Sequence, residues 1–361
     1  MNGAETGEQL AVLANLKSSF PEKVERHVEA IQSMDDFDVL MVDTGPPDKV
    51  DNVQVVAETL RDNPGVKRLL VYGGDGTWSI AANGLIGSGR QDVALAISPC
   101  GNADDASSSL YGKGELEKPQ DIRNLIRYGV PVPLPAIRVE REGGERYAAA
   151  YFGVGLSGQA AVEMNREEYR KKKEGRNPVL NRIADARKVL PLLSGDEKNI
   201  YRYINQDGSE RAVRELLISN VSLFAREFVV NVDSWGEEVV ANEFGPEAFV
   251  RGVIARLAKE RYRTELTAKL YGSDLTPSAF KTVLEGRPMV PGIKGEPFSR
   301  LTMEMKQDTP IQLDGEPDIA PKGSTLDISV VPSAIQVLKP RHLRAVEPSG
   351  YGGELSRVVN Y

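Results

Sequence analysis

Three short blocks of glycine and acidic residues hold the chemistry that this sequence offers. The first, Val71-Tyr72-Gly73-Gly74-Asp75-Gly76-Thr77, follows an apolar run and precedes a helical pattern. Its three glycines let the chain turn sharply and bring backbone N–H groups close to a ligand. With the N-terminus of a helix capped by Thr77, they suit an anion such as phosphate. A carboxylate in that cradle, Asp75, can accept a proton from an attacking hydroxyl or help hold a phosphate-bound metal. The second block is Ser98-Pro99-Cys100-Gly101-Asn102-Ala103-Asp104-Asp105-Ala106. The third, Pro310-Ile311-Gln312-Leu313-Asp314-Gly315-Glu316-Pro317, places two carboxylates either side of a glycine. Taken singly, each also reads as ordinary structure: a glycine turn, a loop before a capped helix, a hairpin turn. The first block lacks the Lys-Ser/Thr ending of a P-loop and the G-x-G-x-x-G spacing of dinucleotide binders.

The elements around these blocks change character part-way along the chain. Apolar runs at 10–14, 39–42, 68–72 and 93–98 read as strands. Helical patterns at 21–33, 50–61, 77–85 and from 103 lie between or after them. Short apolar strands separated by helices predict a parallel sheet covered on both faces. Pro131, Pro133 and Pro135 cannot continue a helix and predict an extended linker. Beyond them, strands at 136–141 and 147–153 flank a Gly143-Gly144 turn, and strands at 201–205 and 212–220 flank 206–209. Further strands are expected at 228–232, 301–306, 311–314, 325–331 and 335–338. The fold class expected is α/β plus β: a Rossmann-like parallel α/β domain, then an antiparallel β-sandwich-like domain with inserted helices. The expected boundaries are 1–133 for a nucleotide-binding domain, 134–332 for a substrate domain, and 333–361 for a C-terminal segment packing back on the first domain.

Composition narrows the class. The 361 residues are 40% hydrophobic and 27% charged, enough for about two domains with cores of normal size. A single cysteine, Cys100, forbids an internal disulfide. His27 and His342 are the only histidines and have no metal-ligand spacing. A net charge of −7 speaks against a polyanion binder, so nucleic acid is not an expected partner. No signal segment and no bilayer-spanning run is visible, which predicts a cytoplasmic protein. Residues 166–188 carry nine Lys/Arg against four Asp/Glu. With the basic, amphipathic stretch 246–271, this predicts either solvated helices or a peripheral dock for anionic membrane.

The blocks together resemble the diacylglycerol kinase and sphingosine kinase group of lipid kinases. The Gly-Gly-Asp-Gly core is shared with NAD kinases and phosphofructokinases. The 98–106 stretch, followed by Leu110, is similar to the lipid-kinase Pro-x-Gly-Thr-Gly-Asn-Asp-Phe-Ala, with Asp104 where that family usually has Asn. Residues 312–316 resemble its Gln-x-Asp-Gly-Glu signature. Asn15-Leu16-Lys17-Ser18-Ser19 stands where the family has Asn-Pro-x-Ser-Gly, without the Pro and Gly. Thr44 and Gly153-Val154-Gly155-Leu156-Ser157 match further family positions.

The resemblance implies transfer of the γ-phosphoryl group of ATP, with Mg²⁺, to a lipid hydroxyl of diacylglycerol or sphingoid type. It implies nucleotide contacts from Asn15, Lys17, Thr44, Gly73, Gly74, Asp75, Gly76, Thr77, Gly101, Asn102 and Asp105. Asp75, Asp314 and Glu316 are the catalytic candidates, with Asp314 first for the hydroxyl-activating base and Asp75 and Glu316 for metal. The alternatives are a soluble-substrate kinase of the NAD kinase type, and a catalytically degenerate protein that binds nucleotide or lipid. Oligomeric state is not readable.

Overall fold

The computed structural model describes residues 8–16, 18, 20–46, 49–101, 104–112, 116–166, 200–205, 208–213, 215–220, 223–224, 228–229, 240–244 and 296–340. The basic stretch beyond Arg166, the stretch 246–271, Lys17, Asn102, His342 and residues 341–361 lie outside them.

The first third alternates β1 (Glu8–Ala14), α1 (Pro21–Gln32), β2 (Phe37–Val42), α2 (Asn52–Asp62), β3 (Val66–Gly73), α3 (Asp75–Ser88), β4 (Ala94–Pro99), α4 (Asp105–Tyr111) and α5 (Pro119–Tyr128). The four strands pair in parallel in the order β2-β1-β3-β4. Leu10–Leu13, Leu69–Tyr72 and Leu95–Ile97 are almost completely buried, as befits strands covered on both faces. The pattern of α1 buries Val24, His27 and Ile31, one stripe of an amphipathic helix. Asp51 caps α2 by accepting from the N–H groups of Val53 and Gln54 at 3.0 and 3.1 Å, a cap that contributes about 1 kcal/mol.

All four parallel strands deliver their carboxyl ends to one edge of the sheet. Because β1 lies between β2 and β3, the chain leaves β1 and β3 in opposite directions. A crevice at that edge is where open α/β sheets bind ligands. Asn15 follows β1, Thr44 follows β2, the first glycine block follows β3 and the second block follows β4.

The rest of the described chain is β5 (Val130–Arg141), β6 (Gly144–Ala148), β7 (Tyr151–Gly155), α6 (Leu156–Asn165), β8 (Tyr201–Asn205), β9 (Glu210–Val213), β10 (Glu215–Ser219), β11 (Leu223–Phe224), β12 (Phe228–Val229), β13 (Val240–Phe244), β14 (Glu296–Pro297), β15 (Arg300–Met305), β16 (Thr309–Leu313), β17 (Glu316–Ala320) and β18 (Thr325–Lys339). One antiparallel sheet runs β14-β13-β10-β7-β16-β17. Its inner face, with Phe152, Val154, Leu216, Ile218, Ile311 and Leu313, packs on Ile137, Val139, Met303, Met305, Leu326 and Ile328 of a second sheet. That second sheet is continuous with the parallel one. β18 pairs antiparallel with β15 at Arg300↔Ser329 through Glu304↔Thr325, then parallel with β4 at Gln336↔Ala94 and Val337↔Leu95. The molecule is thus an α/β domain followed by an antiparallel β-sandwich, joined by one long strand.

Several elements differ from the sequence expectation. The linker expected around Pro131, Pro133 and Pro135 is the first half of β5, paired with β18 from Val130↔Lys339 onward. Prolines two apart place their missing N–H groups on one lateral edge of the strand, which β6 does not cover. The strands expected at 325–331 and 335–338 are one strand with an irregularity between Val331 and Ile335, where Ser333 has φ 51°. The strands expected at 147–153 and 212–220 each divide, their halves pairing in different sheets: β6 and β9 in the long sheet, β7 and β10 in the other. The helix expected at 77–85 begins at Asp75 with Gly74 as its N-cap, so Thr77 lies inside it and is not the cap.

Candidate active site

Gly74 and Gly101 bring the first two blocks into contact. A Cβ on Gly101 would lie 2.5 Å from the Cα of Gly74, so Gly101 has no room for a side chain, and one on Gly74 would be tight at 3.0 Å from the Cα of Gly101. The Cys100 N–H donates to the Gly73 carbonyl at 3.2 Å. Asn15 closes the crevice from the other side: its N–H donates to the Tyr72 carbonyl at 2.9 Å and its Nδ2 to Thr77 Oγ1 at 3.1 Å. Asp104, at the N-cap of α4 with φ 53°, accepts the Gly101 N–H at 2.7 Å. The carboxylate therefore acts as an acceptor where the family's amide usually stands. Thr44 is half-buried beyond β2. A cavity of about 350 Å³ opens beside this loop, lined by Phe20, Lys23, Arg26, Pro99, Asp104 and Glu117.

Asp75 is nearly buried and turned toward the second block. Its oxygens accept the N–H groups of Asp105 at 3.3 Å and Ala106 at 3.1 Å, satisfying the first turn of α4. Asp105 is fully buried.

The third block is a two-residue hairpin loop between β16 and β17, closed by the pair Leu313↔Glu316. Asp314 and Gly315 have φ of 51° and 85°, the type I′ pattern that Asp-Gly serves well. Asp314 has no exposed surface. Its Oδ2 accepts the Ala149 N–H at 2.8 Å, and its Oδ1 accepts those of Ala150 and Tyr151, both at 2.9 Å. Ser79 of α3 also bonds to it. These donors sit where the chain crosses from β6 in one sheet to β7 in the other, so Asp314 pins that crossing. Burial pushes its carboxyl up to about 6, against the pull of the three N–H groups.

Glu316 is exposed, unlike Asp75 and Asp314. A methyl on Gly76 would lie 2.5 Å from Glu316 Oε1, which places the third block over the first. Tyr151 links the third block to the second: its phenol donates to Asp105 Oδ2 at 3.4 Å. Nothing in the sequence distinguished Tyr151 or Ser79 within their elements. Only the pairing of distant segments brings them to the site. Lys17 and Asn102 lie outside the described residues.

A buried acid also lies on the face of β10, β7 and β16 that turns away from the sandwich core. Glu215 Oε2 accepts the Ser157 N–H at 2.7 Å and its Oε1 accepts from Ser157 Oγ, capping α6 in place of Gly155, which has no side chain. Burial raises Glu215 to about 8. Gln312 Oε1 holds the Gly315 N–H at 2.7 Å, fixing the hairpin loop from beneath.

Residues 9–130 match the family model for the diacylglycerol kinase catalytic domain. The match covers the α/β domain, from β1 to α5, and that part of the chain is similar to the family. Among solved structures, the chain is similar to a presumed diacylglycerol kinase from Bacillus anthracis str. Sterne, with 16% identity and TM-score 0.59, covering 95% of this chain and 99% of that one. It is also similar to a diacylglycerol kinase from the same organism, with 12% identity and TM-score 0.54, covering 94% and 99%. Those likenesses establish the fold over nearly the whole chain. No curated protein matches the sequence. Among the described residues no helix is long and apolar enough to cross a membrane.

Proposed function

We propose that the protein transfers the γ-phosphoryl group of ATP to the hydroxyl of a lipid of diacylglycerol or sphingoid type. The observation that carries this is the meeting of the three blocks: Glu316 over Gly76, and Tyr151 against Asp105. Phosphoryl transfer asks chiefly for positioning and charge stabilisation. Gly73, Gly74, Gly76 and Gly101 let the two loops and Glu316 come together at the N-terminus of α3, whose N–H groups suit the donor's phosphates. Asn15, Thr77 and Thr44 line the nucleotide side of the same edge.

The carboxylates fit Mg²⁺ in the form that ion prefers. Among the described residues no group of three or more His, Cys, Asp or Glu could hold a metal alone. Mg²⁺ commonly takes one or two carboxylates and completes its shell from phosphate and water. Glu316 would hold it from the exposed side and Asp75 from beneath. When bound, Mg²⁺ supplies counter-charge to the polyphosphate.

Burial divides the work of the acidic residues. Asp314, expected first as the base, spends its oxygens on backbone and Ser79 donors and has no exposure. Its role in this proposal is to fix the hairpin loop. Glu316 faces the opening and takes the part of receiving or orienting the acceptor hydroxyl. The acceptor enters between the two domains, where both contribute side chains. Docking on anionic membrane through Lys171, Lys172 and Lys173 belongs to the same proposal; neutralising them is expected to weaken binding to anionic vesicles while folding is kept.

Incubation with ATP–Mg²⁺ and either a lipid extract or NAD as acceptor tests the reading. Label in lipid is expected; label in NAD, or nucleotide binding without turnover, overturns it.

A further inference from the structure

The phenol of Tyr151 stands where all three blocks meet. It belongs to a residue only 4% exposed. It donates to Asp105 Oδ2 at 3.4 Å. Asp105 lies in the α4 turn whose N–H groups are held by Asp75. From the same residue, the backbone N–H donates to Asp314 Oδ1, and the carbonyl accepts the Asp314 N–H, both at 2.9 Å. Gly315 approaches the ring: a Cβ there would lie 3.9 Å from the hydroxyl. The hydroxyl is held well above its usual pKa, first by burial and then by the negative charge of Asp105, Asp75 and Asp314. That keeps it a proton donor throughout the physiological range.

We infer that Tyr151 is a positioning residue that ties the Asp75–Asp105 arrangement of the first domain to the Asp314-Gly315-Glu316 hairpin of the second. Its backbone fixes the hairpin and its phenol fixes the first turn of α4. This tie acts beside the Ser79–Asp314 bond, which joins α3 to the same hairpin. Buried carboxylates on facing elements repel each other. A neutral donor set among them lowers the cost of bringing them together. The kinetic consequence rests on the kinase reading; the structural tie does not.

Tyr151→Phe keeps the ring and removes the hydroxyl. Two measurements on the full chain decide the matter. In amide hydrogen exchange, the Asp105 and Ala106 N–H groups are expected to exchange about tenfold or more faster in the variant, while those of the β1 and β3 core strands are unchanged. In phosphoryl transfer, kcat is expected to fall about tenfold or more with the KM for nucleotide little changed. A phenol that only fills space would leave both unchanged. Unaltered exchange at Asp105 and Ala106 overturns the tie whether or not the protein is active. Faster exchange in a protein that phosphorylates no lipid leaves the tie standing and overturns the kinase reading instead.

Discussion

Glu316 Oε1 rests against the bare Cα of Gly76, close enough that a methyl group there would lie 2.5 Å from the oxygen. The two residues bring the hairpin loop of the β-sandwich against the glycine loop of the α/β domain. Neither alone would distinguish a phosphoryl-transfer site from a turn. Their contact is what the proposed phosphoryl-transfer site rests on.

Gly76→Ala should separate folding from function. Gly76 lies in the first turn of α3, where alanine is favoured over glycine by about 0.5–1 kcal/mol in a helix. Glu316 is an exposed, flexible side chain and can move aside without breaking the core. The melting temperature is therefore expected to hold or rise, while phosphoryl transfer falls about tenfold or more. Thermal melting beside a transfer assay checks this; a variant as active as the parent would show that the contact has no catalytic importance.

Asp75→Asn is expected to cost both stability and activity. The carboxylate accepts two N–H groups with two oxygens. An amide offers one oxygen and turns its NH₂ toward the other donor. Leaving one buried N–H unsatisfied costs about 1–3 kcal/mol. Denaturant unfolding should show that loss. An unchanged midpoint would mean that the first turn of α4 does not depend on Asp75.

Glu215 sets a pH dependence that folding should display. Its folded value of about 8 stands above the ordinary 4.5. Below about 4.5 the acid is neutral in both states and its contribution is fully present. As pH rises toward 8 the unfolded chain ionises first, so stability is lost across that window. Glu215→Gln removes this loss and still accepts the Ser157 N–H. The stability of the variant relative to the parent should therefore climb between about pH 5 and pH 8, by about 1.4 kcal/mol for each pH unit. A difference that stays constant with pH would contradict it.

How much of this was readable beforehand follows from the range of the interactions. The parallel strands and the glycine loops were legible because apolar runs and turn residues act locally. The three blocks could be named, and their order along the chain suggested one site. The partners of Asp314 could not be read, because Ala149, Ala150 and Tyr151 lie more than 160 residues away and look like the middle of a strand. For the same reason the sequence did not show that Asp314, expected first as the base, is buried while Glu316 is exposed. Pro332 and Ser333 looked like a break between strands, yet pairing with β5 on both sides carries β18 through it. Prolines that read as a linker are accommodated in β5 because their missing donors face an uncovered edge.

Thr77→Val tests the nucleotide side. It removes the acceptor for Asn15 Nδ2 and keeps the shape of the side chain. The loop after β1 then loses its hold on α3. The KM for nucleotide is expected to rise several-fold with a smaller change in kcat, as measured by steady-state kinetics with lipid in excess. Equal KM values would remove Asn15 and Thr77 from the nucleotide site.

The most direct test of the central claim is labelled-phosphate transfer from ATP–Mg²⁺ to a total lipid extract, comparing the native protein with Glu316→Gln. Labelled lipid is predicted with the native protein and a loss of about 100-fold or more with the variant, since both the charge and its place over Gly76 are needed. Equal labelling by the two proteins would remove Glu316 from the chemistry, and no labelled lipid from the native protein would contradict the account as a whole.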